Sequence, residues 1–292
     1  MSRIDFSDPK SVNWAIAKYI SRKSGKDARE LIKKFKRTGF MSNEELIKAF
    51  NGSLLVSVSG NVTDIQTQQI QSNDAQILSY KTQAIKDTAL LDDILIKSPE
   101  VYLDHGCGSG KITSEIAQLL GTDTVYGVDI YLHPLLEQRS IHGIIPDEYG
   151  GIKLSDNSVD IITCLLSLHH VILQDITLKE LFRVLRPGGQ LLIYEHDFPE
   201  IDTPEYHGFR LFLDAVHMTF SLYGTENESE TSAPSAETQA KKLTLESEQW
   251  IFDAHYKSKI AWRRDLEACG FRHIRDSEFP NTQRMYFALF EK

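Results

Sequence analysis

The 292-residue sequence predicts an α/β fold: a mostly parallel sheet with helices on both faces and an antiparallel last strand. Three observations carry this. Between residues 101 and 196, short apolar runs alternate with amphipathic ones. A glycine-rich loop, residues 106–110, joins the first of these runs to a helix. The final two strand-like runs, 271–279 and 283–292, are joined by Pro280-Asn281, which is too short for a parallel crossover and makes an antiparallel hairpin.

The elements run in order. VYLDHG (101–106) reads as a short apolar strand, KITSEIAQLL (111–120) as an amphipathic helix stopped by Gly121, and TVYGVDI (124–130) as a second strand. VDIITCLLSL (159–168) reads as a buried strand, LKELFRVL (178–185) as a helix, PGG (187–189) as a turn, and QLLIYEH (190–196) as a strand. After residue 243 the pattern is mostly helical up to Gly270.

Before this region lies an extension of different character. SVNWAIAKYISRK (11–23) puts Val12, Ala15, Ile16, Tyr19 and Ile20 on one helical face. Residues 27–37 and 43–50 read as two further short helices, with Asn43 as a candidate N-cap. Residues 51–75 are polar around LLVSVSG and read as a linker or short hairpin. Residues 76–96 have helical spacing and lead to Pro99. The expected organisation is therefore a basic, mainly helical extension with linker over 1–75, then a domain over 76–292. Residues 224–242 lack aromatics, leucine, isoleucine and valine, and read as a mobile insertion in that domain.

Charge is distributed unevenly. Residues 1–50 hold twelve Lys/Arg and six Asp/Glu, although the chain as a whole carries a net −9. A basic head on an acidic body suits RNA or an acidic partner bound through residues 10–37; a lysine-rich soluble helix gives the same counts. No apolar run approaches 18 residues, so no membrane span is expected. The polar start MSRIDFSDPK does not read as a signal peptide. Three cysteines make no disulfide framework and no Cys/His cluster has zinc spacing, so the expectation is a reducing, cytoplasmic compartment and no metal.

The glycine loop, LDHGCGSGK (103–111), decides the chemistry. A phosphate-binding P-loop requires glycine where His105 stands and Ser or Thr where Ile112 stands. The dinucleotide fingerprint requires a third glycine at Lys111. What remains is a strand ending in Asp104, the spacing Gly106-x-Gly108-x-Gly110, a helix, and a second strand ending in Asp129. Asp129 can accept both hydroxyls of a ribose, and Asp104 can meet a cationic group. Glycines between them let a ligand cross closely over the backbone. A ligand with a ribose, an ammonium group and no phosphate fits: S-adenosylmethionine.

These motifs resemble those of class I S-adenosylmethionine-dependent methyltransferases. LDHGCGSG is similar to the family's first motif and GVDI to its second. LSDNSVDIITCLLSLHHV is similar to its fourth-strand region, and LFRVLRPGGQLLIYEHD to its helix–PGG–strand element. The likeness runs from about residue 80 onward and is nearest the ubiquinone/menaquinone-biosynthesis type. EHD-bearing chains with such basic extensions also resemble proteins of large DNA viruses. The resemblance implies a Rossmann-like seven-stranded sheet and S-adenosyl-L-methionine as cofactor. It implies that Asp104 and the backbone of Gly106, Gly108 and Gly110 surround the methionine end, that Asp129 holds the ribose, and that Ile130 packs on adenine. Asp147 is the candidate for the adenine amine; Leu165 and Ser167 would line the pocket.

Methyl transfer is an in-line displacement in which the protein chiefly positions the nucleophile; a general base is optional. Candidates are His169 and His170 after the fourth strand and Glu195, His196 and Asp197 after the fifth; each can equally be a buried structural residue. The fourth strand ends in SLHH without Asp, unlike the Lys-Asp-Lys-Glu RNA 2′-O-methyltransferases of this fold. Two functions are consistent with these motifs: a methyltransferase acting on an O, N or C acceptor in a small molecule or RNA, or a non-catalytic subunit that binds RNA or a protein through its basic head.

Overall fold

A computed structural model describes residues 4–24, 29, 94, 98–223, 254–277 and 284–292. The chain divides into two compact units, 1–73 with 199–253 and 74–198 with 254–292. Residues 199–253 thus interrupt the domain expected over 76–292. The expected helices at 27–37, 43–50 and 76–96, the linker 51–75 and the insertion 224–242 lie outside the described residues, except Arg29 and Ile94, both helical.

The second unit holds one seven-stranded sheet in the order β3-β2-β1-β4-β5-β7-β6. Its strands are β1 (Val101–His105), β2 (Thr124–Val128), β3 (His142–Ile144), β4 (Val159–Leu165), β5 (Leu185–His196), β6 (Arg272–Ser277) and β7 (Met285–Glu291). The first five run parallel, and β7 is antiparallel to both β5 and β6. Every residue of β4 is buried, as a strand covered on both faces requires.

Alternation along the strands fills two cores. Tyr102, Ile161, Leu192, Tyr194, Phe287 and Leu289 pack with Ile116 and Leu120 of α2 (Lys111–Leu120). Leu103, Ile162, Leu191, Ile193, Ala288 and Phe290 pack with Leu178 and Leu181 of α4 (Gln174–Val184) and with Trp262 and Leu266 of α6 (Lys259–Ala268). Each fully buried Leu or Ile contributes about 1.5–3 kcal/mol. Between β2 and β3 lies the single turn α3 (Leu135–Gln138). The DNSVD stretch anchors the edges of this packing. Asp160 accepts hydrogen bonds from the N–H of Glu100 and Val101 and pairs with Arg186, while Arg183 bridges Glu180 and Asp156.

Three boundaries differ from the sequence expectation. β4 stops at Leu165, because Leu166 turns into the left-handed region (φ 58°) and Leu168–His170 form a 3-10 turn. α4 begins at Gln174, its polar first turn having masked the start. PGG is a bulge inside β5 rather than a turn before it: Val159 faces Leu185 and Ile161 already faces Gln190.

In the first unit, α1 (Pro9–Ser24) and α5 (Pro204–Tyr223) are described. Asp8 precedes Pro9 and accepts from the N–H of Lys10, a side-chain cap before a first-turn proline. Of the expected apolar face, Val12 and Ile16 are buried and Ala15 is half-buried; the side chains of Tyr19 and Ile20 lie outside the described residues. Phe6 meets Phe209 and Phe212 edge-on, at 4.8 and 5.7 Å between ring centres. Among the described residues no helix is long and apolar enough to cross a membrane, and no His, Cys, Asp and Glu group could hold a metal.

Candidate cofactor and catalytic site

β2, β1 and β4 end side by side, with His105 opposite Val128 on one flank and Cys164 on the other. The glycine loop starts there. Gly106 and Cys107 both donate their N–H to Val128 O (2.7 and 3.2 Å), and Gly110 N–H closes a turn onto Cys107 O at 2.9 Å. Each glycine has its own reason. A Cβ at Gly106 (φ 78°) would lie 2.3 Å from Ser167 Cβ, so side chain and turn cannot coexist. At Gly110 it would lie 2.5 Å from Leu136 Cδ2. At Gly108 (φ 52°) it would meet nothing within 4 Å, so the tip of the loop faces open space.

The two strand-ending acids differ. Asp104 is 3% exposed, and Thr113 and Thr163 each donate a hydroxyl to its carboxylate at 2.6 Å. The Thr163 hydroxyl also lies 2.7 Å from Tyr102 Oη. Asp104 therefore ties β1 to α2 and β4 from below the loop. Asp129 is half-buried, and its Oδ2 accepts the Gly108 N–H at 2.8 Å, which brings carboxylate and open loop tip together across 21 residues. Ile130 beside it is 87% exposed, an apolar side chain standing in solvent at a strand tip. Asp147 sits elsewhere in its bonding: its Oδ1 accepts from the N–H of Tyr149 and Gly151, closing a turn of its own.

Past β4, a buried carboxylate helps to hold the chain, beside Gln174 Nε2, which donates to Leu168 O, and the His255 N–H, which donates to His169 O. Leu166 has φ 58°, which costs about 1–2 kcal/mol for a residue with a Cβ. Glu195, wholly buried near the end of β5, binds the turn beyond Leu166. Its Oε1 accepts from the N–H of Ser167 (3.0 Å) and Leu168 (2.7 Å), and its Oε2 lies 2.6 Å from His169 Nδ1. Burial pushes this carboxyl up to about 7, against the pull of the Leu168 N–H, of the His170 charge and of the Ser167 N–H. Ser167 in turn donates its hydroxyl to His105 O at 2.7 Å. Leu165, buried just before, belongs to the core beneath the tips.

The histidines form an aromatic group. His169 stacks on Tyr256 (4.9 Å, 21°) and lies 4.0 Å from His170 and 5.2 Å from His196. His196 meets Tyr256 and Phe198 edge-on. Asp197 leaves the strand end and accepts the N–H of Lys259, the first residue of α6. Glu195 and Asp197, adjacent but one in sequence, thus point to different tasks: one clamps the β4 turn, the other caps a helix.

Thr113, Thr163, Tyr256 and His105 are not singled out by the sequence motifs. A buried threonine on the apolar face of α2 signals a polar partner beneath it, so Thr113 is readable in principle. Tyr256 offers no such signal. His105 is buried inside the glycine loop, its Nδ1 has no hydrogen-bond partner among the described residues, and burial pushes its imidazole down to about 4 against the pull of Asp129 and Glu195.

Similarity to known proteins agrees with this geometry. Residues 103–193 match the family described as a methyltransferase domain. A ubiquinone/menaquinone biosynthesis C-methyltransferase from Pseudoalteromonas translucida is 32% identical over 108 residues, covering 34% of this chain and 43% of that protein. One from Escherichia coli is 32% identical over 136 residues, 43% of this chain and 54% of that protein. The chain spans about half the length of the curated relatives it matches. A solved structure of a candidate O-methyltransferase from Nostoc punctiforme has a TM-score of 0.50 at 16% identity, over 85% of this chain and 68% of that one, which is a likeness of fold. The strand order, the glycine loop and the acid-tipped second strand all agree with the match of residues 103–193 to a methyltransferase domain.

Proposed function

We propose that this domain binds S-adenosylmethionine across the tips of β1, β2 and β4 and transfers its methyl group to an O, N or C acceptor. One observation carries the reading: the only tip glycine facing open space, Gly108, has its amide tied to the carboxylate of Asp129. A ligand lying over Gly108 meets a carboxylate suited to ribose hydroxyls and, one residue on, the exposed Ile130, suited to the face of adenine. The cofactor brings an electrophilic methyl group on a sulfonium. The chain supplies orientation: the loop backbone from Gly106 to Gly110 seats the methionine end, and Asp104, through Thr113 and Thr163, fixes the β1 tip and adds negative potential beneath it.

On the acceptor side, His169, His170 and His196 are the groups able to take a proton. Glu195 and Asp197 act on the chain itself, and Asp147 shapes the turn after β3. The curated relatives are named as C-methyltransferases of quinone biosynthesis, so a small aromatic acceptor is the first to test. RNA is the second, through the basic residues 10–37. The three cysteines are free and two are buried, which suits a reducing, cytoplasmic setting.

Calorimetry with S-adenosylmethionine tests the reading. Wild type binds, and Asp129→Ala weakens binding at least tenfold; product is then sought by mass spectrometry with quinol and RNA acceptors. Absence of binding, or binding indifferent to Asp129→Ala, leaves the non-catalytic subunit as the better reading.

A further inference from the structure

A carboxylate as deeply buried as Glu195 needs several partners, and they include the backbone N–H groups of Ser167 and Leu168 and the His169 imidazole. What those partners have in common is the turn 167–169. That turn begins directly after Leu166, whose φ of 58° is costly for a residue with a Cβ, so an external hold stabilises it. It also touches the glycine loop at two points. Ser167 Oγ donates to the carbonyl of His105, the residue that opens the loop. Ser167 Cβ fills the volume that a side chain at Gly106 would take. A continuous path therefore runs from β5 through Glu195 and Ser167 to Gly106, by hydrogen bonds and direct packing.

We propose that Glu195 is a positioning residue for the cofactor seat: by fixing Ser167 under Gly106, it sets the height of the glycine loop over the β1 tip. It rests on the reading that this loop seats S-adenosylmethionine. The clamp needs an acceptor oxygen at the Oε1 position and does not need the charge. Glutamine keeps that oxygen, so Glu195→Gln retains both amide bonds, whereas Glu195→Ala removes them. Ser167→Gly tests the other end of the path, removing hydroxyl and Cβ while leaving the bonds to Glu195.

The experiment is calorimetry with S-adenosylmethionine on the full chain, at a temperature well below each variant's melting transition. Expected dissociation constants are within threefold of wild type for Glu195→Gln and at least tenfold weaker for Glu195→Ala and Ser167→Gly. Weakened binding by a fully folded Glu195→Ala is the readout that a purely stabilising carboxylate would not give, since well below the melting transition such a role leaves affinity unchanged. A folded Glu195→Ala that binds as wild type overturns the inference, as does a Glu195→Gln as weak as the alanine variant. If Glu195→Ala does not fold, a Ser167→Gly with wild-type affinity overturns it. A wild type that does not bind S-adenosylmethionine overturns the cofactor reading, and this inference with it; wild-type binding with unaffected variants overturns this inference alone.

Discussion

Replacing Gly108 by alanine separates what the loop does for the fold from what it does for the ligand. The new Cβ would have no atom within 4 Å, so no packing is disturbed. The amide that serves Asp129 stays in place, because alanine keeps its N–H. The remaining cost is conformational: φ is 52°, and a left-handed alanine costs about 1–2 kcal/mol. For a protein of this size that lowers the melting temperature by roughly 2–8 °C. Ligand binding loses more. The methyl group projects into the space that the cofactor crosses, and a tenfold weaker dissociation constant, about 1.4 kcal/mol, is the least expected. Differential scanning fluorimetry gives the first number and calorimetry the second. A variant that melts within that window yet binds S-adenosylmethionine as wild type does would refute the placement of the ligand over Gly108. A fall well beyond 10 °C would refute the open surroundings of the loop tip.

Other outcomes rest on the same geometry. Gly106→Ala places two carbons 2.3 Å apart against a normal contact of about 3.5–4 Å, so overpacking adds about 1–3 kcal/mol to the backbone cost; denaturant unfolding should find it clearly less stable than Gly108→Ala, and equal stability counts against the Ser167 contact. Glu195 has its folded-state carboxyl raised by burial to about 7, so its stabilising contribution is complete below about pH 4.5 and is lost as pH rises through 7. Glu195→Gln, which does not titrate, should therefore gain on the wild type by up to about 3 kcal/mol between pH 5 and 8; a difference that does not change with pH would remove this account. The opposing slope from His105, whose lowered imidazole destabilises as pH falls from 6.5 toward 4, is common to both proteins and cancels. If residues 10–37 bind RNA, affinity falls steeply with salt and the slope flattens on deleting residues 1–50; a slope unchanged by the deletion assigns RNA binding elsewhere or nowhere.

The strand tips were legible because backbone geometry wrote them into a short window. Gly106, Gly108 and Asp129 can be read from local spacing, and the order of strands from alternation of apolar and amphipathic runs. Long-range contacts were not legible. Nothing in the neighbourhood of Asp104 announces that Thr163, 59 residues on, will bind its carboxylate. The EHD triplet reads as one chemical unit, yet the strand ends at His196: Glu195, still inside it, binds the β4 turn, while Asp197, beyond it, accepts from a helix start 62 residues away. Asp147 lies in an irregular stretch without period, and the turn that its Oδ1 closes onto Tyr149 and Gly151 leaves no signal in the sequence. PGG carries a turn signal that is locally correct; that β4 pairs with β5 on both sides of it, making it a bulge, depends on a partner strand.

The place of β7 has a consequence for biosynthesis. It is the last strand of the sheet to be made, yet it lies in the interior, hydrogen-bonded to β5 on one side and β6 on the other. Until residues 285–291 have been synthesised, the sheet exists as five strands with an open edge at β5 and a detached β6. Leu191, Ile193 and Tyr194 then flank bare backbone donors and acceptors, an arrangement that recruits foreign strands. A chain truncated before Met285 would carry its glycine loop in full and leave its sheet unsealed.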